Sequence, residues 1–316
     1  MSEPKPDTPS TTHLSQTLGI ARPVFGAPMA KIAGGRLAAA VSTAGGLGVI
    51  GGGYGDPVWL AEQVAMAGSA RFGIGLITWN LADGAVESAL SYQPTAIWLS
   101  FGDPTPHVDP IHAAGVPLIC QVSSVDEARA AVAAGAAVVV AQGNESGGHG
   151  HANRALFGLI PAVVAAVDPV PVVAAGGISG PEGLVAAQAL GASAVCLGTA
   201  LYATEESLDV AEAKQRLVGA TGDDTIRSVV YDRVRGPDWP EGFTGRSIRT
   251  PWTDRYAGSE GEMDADLDRL RADHERAVAE RDMDVRVVWA GESVDGVTAI
   301  RPAAEVVEAF PPFFPA

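Results

Sequence analysis

The apolar stretch Val172-Val173-Ala174-Ala175-Gly176-Gly177-Ile178 is followed by a second one, Val195-Cys196-Leu197-Gly198-Thr199. Each is a continuous apolar run that ends in glycine, which is typical of a buried parallel strand followed by a tight turn. The intervening residues Pro181–Leu190 begin with proline and are followed by Gly191, as expected for a helix. The sequence therefore predicts two consecutive strand-and-helix units here.

The same alternation begins upstream, at Arg22. Eight apolar runs are predicted to be strands: Pro23–Ala27, Leu47–Ile50, Phe72–Ile77, Ala96–Ser100, Val116–Val122, Ala137–Ala141, Pro171–Ala175 and Ala194–Leu197. A stretch of helical character follows each of them, such as Ser124–Ala134, which opens with serine and an Asp-Glu pair. Eight such units predict an α/β fold, a (β/α)8 TIM barrel, with an open doubly wound parallel sheet as the alternative.

The alternation stops after the eighth predicted strand. We expect residues 1–19 to be a flexible polar leader and residues 20–201 to be the barrel core. Residues 202–290 are interpreted as an insertion of helices and loops, and residues 291–316 as the part whose helix closes the barrel. The insertion could cover the barrel mouth as a lid or form the contact of a homodimer.

Composition limits the partners. The formal net charge is −16 at pH 7, which disfavours nucleic acid and anionic membrane surfaces because their phosphates would be repelled. No uncharged apolar run approaches the ~20 residues that span a bilayer, and the N-terminus lacks a signal-peptide pattern. Cys120 and Cys196 lie in predicted strands and are interpreted as buried reduced thiols. We therefore expect a cytoplasmic protein.

Glycines after the seventh and eighth strands are candidates for anion binding. In TIM barrels the loops after these two strands often bind phosphate through backbone N–H groups, and Gly176, Gly177, Gly198 and Thr199 occupy those loops. The alternative is that these glycines only make tight turns. The Gly46–Gly51 stretch matches the spacing of a dinucleotide fingerprint, but its apolar residues form the strand itself, and no helix begins after it.

The loop after the sixth strand carries the candidate chemistry: Gln142-Gly143-Asn144-Glu145-Ser146-Gly147-Gly148-His149-Gly150-His151. Active sites of TIM barrels lie at this end of the strands, so His149 is predicted to act as a general base. A metal site built on His149 and His151, with help from His107, remains an alternative, as does a Schiff-base lysine at Lys31. Glu145 could orient a histidine or cap a turn.

Four segments together resemble the nitronate monooxygenase family: Ala27–Ala30, Gln142–His149, Ala174–Ile178 and Leu197–Thr199. The similarity extends to Trp239–Gly242, Gly245-Arg246 and Ala290–Glu292, so that it covers the chain from about Ile20 to Phe310. The Gly-Gly-His element is its most specific part, although flavin-dependent enoyl reductases share a similar loop.

The resemblance implies an FMN cofactor and no metal. It implies that the flavin is contacted by Ala27, Pro28, Met29, Gln142, Gly147 and Gly148, and that its phosphate is held by Gly176, Gly177, Gly198 and Thr199. His149 would take a proton from the carbon beside a nitro group, or the enzyme would bind the preformed nitronate, and FMN and O2 would complete the oxidation.

One position departs from the family pattern. Gly75 stands where the family often has asparagine, so a flavin contact is lost or is supplied by Thr78 or Asn80. Trp79, just past the third strand, could form a wall of the substrate pocket, whereas Trp289 is interpreted as a packing residue. Two other functions stay open: an NAD(P)H-dependent reductase of the enoyl or quinone type on the same scaffold, and a non-catalytic protein that binds flavin or phosphate.

Overall fold

The computed structural model describes residues 9–236 and 238–313. The strands in these ranges are β1 (Val24–Gly26), β2 (Val49–Gly53), β3 (Gly73–Ile77), β4 (Ile97–Ser100), β5 (Leu118–Val122), β6 (Val138–Gln142), β7 (Gly148–His151), β8 (Val172–Ala175), β9 (Ala194–Leu197), β10 (Thr225–Ser228) and β11 (Phe243–Ile248).

The α-helices in the same ranges are α1 (Pro9–Leu18), α2 (Gly35–Thr43), α3 (Pro57–Ala67), α4 (Ala85–Ser91), α5 (Val108–Ala113), α6 (Val125–Ala133), α7 (Leu156–Val167), α8 (Pro181–Ala189), α9 (Thr199–Tyr202), α10 (Ala211–Val218), α11 (Val230–Arg235), α12 (Pro251–Tyr256), α13 (Leu267–Glu280) and α14 (Ala303–Glu308). Short 3-10 helices lie at Thr78–Asn80, Thr105–His107, Gly222–Asp224, Glu260–Asp266 and Glu292–Gly296. No helix in the described part of the chain is long and apolar enough to cross a membrane.

Eight parallel strands form the barrel, in the order β1-β9-β8-β6-β5-β4-β3-β2. A parallel bridge between Phe25 and Leu47 joins the two ends of this order. Each of the eight predicted apolar runs contributes one strand, so the TIM-barrel prediction is confirmed and the open-sheet alternative is wrong. Because β6, β8 and β9 are neighbours, the three loops predicted to carry chemistry leave the same rim.

The barrel interior is a packed core. Phe25 and Trp98 meet edge to face inside it, with ring centroids 6.4 Å apart. The two cysteines are buried and unpaired, as predicted, and burial raises the pKa of each thiol to about 12.

The predicted leader is ordered over part of its length. Residues 1–8 lie outside the described residues, but α1 covers the next ten, and Leu14 and Leu18 are completely buried against the barrel interior. These two leucines are four residues apart and therefore share one helix face. The sequence analysis did not predict this helix, because the two leucines lie in an otherwise polar stretch.

A second sheet lies above the barrel. Strands β10 and β11 of the insertion form it together with β7, which follows β6, and all its pairings are antiparallel. Helix α10 begins at Ala211, and Lys214 within it donates hydrogen bonds to the carbonyls of Glu205 and Ser207 in the preceding turns. At the C-terminus, α14 buries Val306 and Val307 against the barrel and contacts α2.

Candidate active site

A cavity of about 250 Å³ opens at the carboxyl ends of the barrel strands. All eleven residues predicted for the site line this cavity: Ala27, Pro28, Met29, Gln142, Gly147, Gly148, His149, Gly176, Gly177, Gly198 and Thr199. They lie at the end of β6, in β7, and in the segments that follow β1, β6, β8 and β9, which the closed barrel brings to one rim. The sequence predictions therefore converge on a single cavity.

One end of the cavity presents unpaired backbone and hydroxyl donors. Gly176 and Gly177 have φ of +108° and +65°, a conformation that favours glycine. Among the described residues, the N–H groups of Gly177, Gly198 and Thr199 donate to no backbone carbonyl. The hydroxyl of Ser146 is also buried without a partner there. Such a set of free donors fits an anionic oxygen group.

The hydroxyl of Thr199 is oriented by the segment that follows the insertion. Its Oγ1 accepts a hydrogen bond from the N–H of Gly291 at 2.9 Å, so its own hydrogen is free to donate towards the cavity. Gly291 also lines the cavity. Thr199 can therefore act as a donor at this end of the cavity.

The loop after β1 lies across the barrel mouth. A Cβ atom at Gly75 would come within 2.2 Å of the Cβ of Pro28, so a side chain at position 75 would displace this loop. Asparagine, which the family often has at this position, would therefore collide with Pro28 in this chain. Neither proposed substitute lines the cavity, since the hydroxyl of Thr78 donates to the carbonyl of Ser100 and Asn80 is exposed.

Gln142 connects the barrel to the catalytic loop. Its Nε2 donates to the carbonyl of His149 at 3.0 Å, and its Oε1 accepts from the side chain of Gln121 at 3.0 Å. Both polar atoms of the amide are therefore used to hold neighbouring residues. This arrangement fixes the backbone of His149 relative to the end of β6.

The position of His149 depends on the insertion. It lies in β7, whose partner is β11, with His149 opposite Gly245. Its Nε2 lies 2.7 Å from Oδ1 of Asp232, which belongs to α11, and the two side chains are only 11% and 6% exposed. Since a carboxylate can only accept, Nε2 carries the hydrogen in this contact. Nδ1 makes no hydrogen bond to a described residue and remains available on a side chain that lines the cavity.

Two tryptophans enclose the imidazole ring. Trp239 stacks on it with centroids 3.8 Å apart and planes 8° from parallel, while Trp289 lies at 5.1 Å. Both line the cavity, so Trp289 does more than the predicted packing. Trp79 contacts Trp239 at 5.4 Å without lining the cavity itself, so it supports the wall from behind.

Arg235 and Tyr54 give the cavity wall a cation and a hydroxyl. Arg235 lies over the ring of Trp289 at 5.5 Å, and neither side chain forms a hydrogen bond or ion pair with a described residue. Desolvation by the surrounding protein lowers the pKa of Arg235, although the residue remains exposed, and nearby Asp232 opposes this effect. Burial raises the pKa of Tyr54 to about 12, so it stays a neutral donor at physiological pH. Both groups can therefore receive an anionic ligand.

A buried arginine holds the backbone of the catalytic loop. Arg227 donates to the carbonyls of Asn144 and Ser146 at 3.1 and 2.8 Å, and to those of Gly150 and Thr244 at 3.2 and 2.7 Å. Burial lowers its pKa to about 10, so it remains a cation at neutral pH. The loop is thus fastened to the insertion on both sides of His149.

The structure resolves several roles that the sequence left open. Glu145 accepts two bonds from the N–H of Leu156 and so caps α7 instead of orienting a histidine. The Nδ1 of His151 contacts the carbonyl of Gly242 at 3.1 Å.

Lys31 is exposed, pairs with Asp56 and does not line the cavity, so the Schiff-base alternative is wrong. No described group of three or more His, Cys, Asp and Glu side chains is arranged to hold a metal ion.

A family model described as nitronate monooxygenase matches residues 11–78 and 59–311 of this sequence. The chain belongs to the nitronate monooxygenase family. A nitronate monooxygenase of Neurospora crassa is 29% identical over 333 aligned residues, which cover 90% of this chain and 86% of that protein. The predicted family membership is therefore confirmed.

Solved structures show the same similarity. FabK from Thermotoga maritima superposes with a TM-score of 0.82 at 31% identity and covers 94% of each chain. A nitroalkane oxidase from Streptomyces ansochromogenes superposes with a TM-score of 0.79 at 26% identity, covering 94% of this chain and 96% of that one. Nitronate monooxygenases are flavoproteins, so this chain is a flavin-dependent oxidoreductase.

Sequence reasoning missed the contribution of the insertion. Asp232, Arg235 and Arg227 were not predicted, although Trp239 lies in a stretch that resembles the family. The available indication for Asp232 was a carboxylate directly after the apolar residues Val230 and Tyr231, which are buried. Nothing in the sequence placed that segment next to His149.

Proposed function

We propose that this protein is an FMN-dependent monooxygenase that oxidises alkyl nitronates, and the nitroalkanes that form them, with O2. The main supporting observation is the position of His149, whose Nε2 is held by Asp232 and whose Nδ1 makes no hydrogen bond to a described residue. His149 lines the same cavity as the unpaired donors near Gly177. The names of the Neurospora and Streptomyces relatives support the same substrate class.

The donors of the site fit the terminal phosphate of FMN. The loops after β8 and β9 offer free N–H groups and the hydroxyl of Thr199 to a terminal phosphate, and the loop after β6 adds the hydroxyl of Ser146. Ala27, Pro28 and Met29 would lie along the ring system. When bound, the flavin supplies the redox chemistry, while the protein supplies binding, orientation and charge.

His149 acts on the substrate proton. With Nε2–H donated to Asp232, the neutral ring holds its free lone pair on Nδ1, which can accept a proton from the carbon beside the nitro group. The products of this step are the nitronate anion and an imidazolium whose charge is balanced by Asp232. A preformed nitronate enters the sequence after this step and does not need the base.

The nitronate oxygens need donors on the cavity wall. Arg235 and Tyr54 both line the cavity without a hydrogen bond or ion pair to a described residue, and they can bind these oxygens. Trp239 and Trp289 cover the ring of His149 and exclude water from around it, which strengthens charge interactions in the site.

The test is reconstitution followed by oxidation. Purified protein is expected to retain, or to bind on addition, a yellow flavin that mass spectrometry of the released cofactor identifies as FMN. With ethylnitronate it is expected to consume O2 and release nitrite. A colourless protein that FMN does not reconstitute, or a flavoprotein inert towards every nitronate, would contradict the proposal.

A second candidate is an NAD(P)H-dependent flavin reductase, the alternative that the sequence left open. The observation that favours it is the similarity to FabK over 94% of each chain. Mixing the flavoprotein with NADH under argon separates the two functions. Flavin reduction by NADH faster than by ethylnitronate would favour the reductase.

A further inference from the structure

A second cavity of about 380 Å³ lies beside the first one, on the outer side of the barrel wall. It lies between the ends of β4 and β5 and helix α6, and Leu99, Cys120, Val122 and Ala131 contribute its apolar surface. These side chains belong to the layer between the sheet and the helices. The proposed catalysis makes no use of this space.

The two cavities share a boundary. Phe101 and Gln121 line both of them. Gln121 is held in place by its hydrogen bond to Gln142, so it belongs to the fixed part of the boundary. Phe101 is the side chain that separates the space beside His149 from the space beside α6.

The backbone at Phe101 is held in an unusual conformation. Its φ is +63°, which is rare for an aromatic residue and is found where surrounding structure imposes it. The next residue is packed so closely that a Cβ atom at Gly102 would lie 2.5 Å from Oγ1 of Thr78. The ring is held at the boundary by edge contacts with Trp239 at 5.2 Å and Phe243 at 5.8 Å.

The charges at the second cavity restrict its ligand. Asp103 and Glu127 line it, and each carboxylate accepts a backbone hydrogen bond from a nearby residue; His151, whose Nδ1 contacts the carbonyl of Gly242, lines it as well. Hydrogen bonds from Thr105 lower the pKa of Asp103, which keeps it ionised. Two carboxylates repel a second anionic group, whereas the apolar surface between them favours a hydrocarbon chain.

We propose that this second cavity receives the hydrocarbon tail of longer alkyl nitronates, and that Phe101 controls passage of the tail from the flavin cavity. The nitronate end stays beside His149 and Arg235, and the tail crosses the boundary between Phe101 and Gln121. The inference rests on the proposed function, because it assigns the substrate of that reaction a chain length.

Filling the second cavity tests the inference without touching the flavin site. Ala130 lines the cavity from the exposed face of α6, so Ala130→Trp should fold normally and occupy its space. The matched control is Val58→Trp on α3, which is 69% exposed and lines neither cavity. We expect Ala130→Trp to lower kcat/KM for octylnitronate by about fourfold for each excluded methylene, with the value for ethylnitronate unchanged within about twofold.

Removing the side chain of Phe101 from the boundary between the two cavities should favour the longer substrate. Phe101→Ala, or Phe101→Leu if the larger truncation does not fold, is expected to raise the octyl-to-ethyl ratio of kcat/KM. Adding Ala130→Trp to either variant should remove that gain, because the two changes act on one space. Binding of n-alkyl carboxylates, followed by the change in flavin absorbance, gives a readout independent of turnover.

The outcomes separate this inference from the proposed function. An octyl-to-ethyl ratio that neither substitution changes would overturn it. The inference would also be overturned if Ala130→Trp slowed flavin reduction by NADH and left the octyl-to-ethyl ratio of kcat/KM unchanged. The second cavity would then bind a reductant. A third outcome is that no nitronate is oxidised, but n-alkyl carboxylates with longer chains bind more tightly to wild type and not to Ala130→Trp. In that case the second cavity does bind a hydrocarbon tail, and the proposed function is wrong. Carboxylate binding that is independent of length would refute the tail site as well.

Discussion

Replacing Asp232 by asparagine isolates the role of the carboxylate behind His149. The substitution keeps the size of the side chain and a hydrogen-bond acceptor for Nε2–H, but it removes the negative charge 2.7 Å from that nitrogen. When Nδ1 takes the substrate proton, the ring becomes a cation that this charge stabilises. Two unit charges about 4 Å apart attract by about 4 kcal/mol at an effective dielectric constant near 20.

Part of that attraction should survive through the retained hydrogen bond and local rearrangement. If about 2 to 4 kcal/mol is lost in the transition state, kcat/KM for nitroethane falls by about 30- to 1,000-fold. Ethylnitronate needs no proton abstraction, so its kcat/KM should change by less than about fivefold. Steady-state O2 uptake with both substrates on Asp232→Asn measures the two numbers on one preparation.

The control is Asp254→Asn, an exposed aspartate in the same insertion that pairs with Arg249. It should leave both substrates unaffected. Equal losses for nitroethane and ethylnitronate in Asp232→Asn would show that the carboxylate only supports the local fold. No loss for either would show that Asp232 does not assist proton transfer at all.

Four further changes test other parts of the site. Ser146→Ala removes a hydroxyl that has no described partner, so FMN should bind about 5- to 10-fold more weakly in a fluorescence titration, with no change in the melting temperature of the flavin-free protein. Gly75→Asn would force the loop at Pro28 to move, and we expect about 1 to 3 kcal/mol of destabilisation in urea unfolding together with weaker flavin retention; an unchanged protein would refute the steric explanation. Arg227→Met keeps the apolar stem but removes a donor from four carbonyls, of which that of Asn144 keeps its bonds from Arg246, so unfolding should become easier by at least about 3 kcal/mol, and an unaltered urea midpoint would count against the loop-holding role. Burial lowers the pKa of His274 to about 4, below its value in the unfolded chain, so the unfolded state binds the proton first and stability is lost as the pH falls from about 6.5 towards 4; His274→Phe should flatten that loss in a series of urea unfolding curves.

The barrel was predictable because its determinants are local. Each strand is a short apolar run ending in glycine or a small residue, and Val172–Ala175 or Ala194–Leu197 can be recognised without knowing their neighbours. Parallel strands leave one rim by necessity, so the common location of Gly177 and His149 followed from the fold. The helix containing Leu14 and Leu18 was missed because its two apolar residues lie in a polar segment.

The partners of His149 were not predictable in the same way. Asp232 is 83 residues away in sequence, and its contact depends on the pairing of β7 with β11. The strand β7 itself, Gly148–His151, contains only glycine and histidine and therefore lacks the apolar alternation that marks a strand. Long-range pairing within an irregular insertion, and not local propensity, decides the arrangement around the base.

The most direct test of the central claim is anaerobic rapid mixing of the reconstituted flavoprotein with nitroethane, comparing wild type with His149→Ala. We predict that wild type loses its flavin absorbance with nitroethane and with ethylnitronate, whereas His149→Ala loses it with ethylnitronate alone. Bleaching of His149→Ala by nitroethane at the wild-type rate would contradict the assignment of His149 as the base.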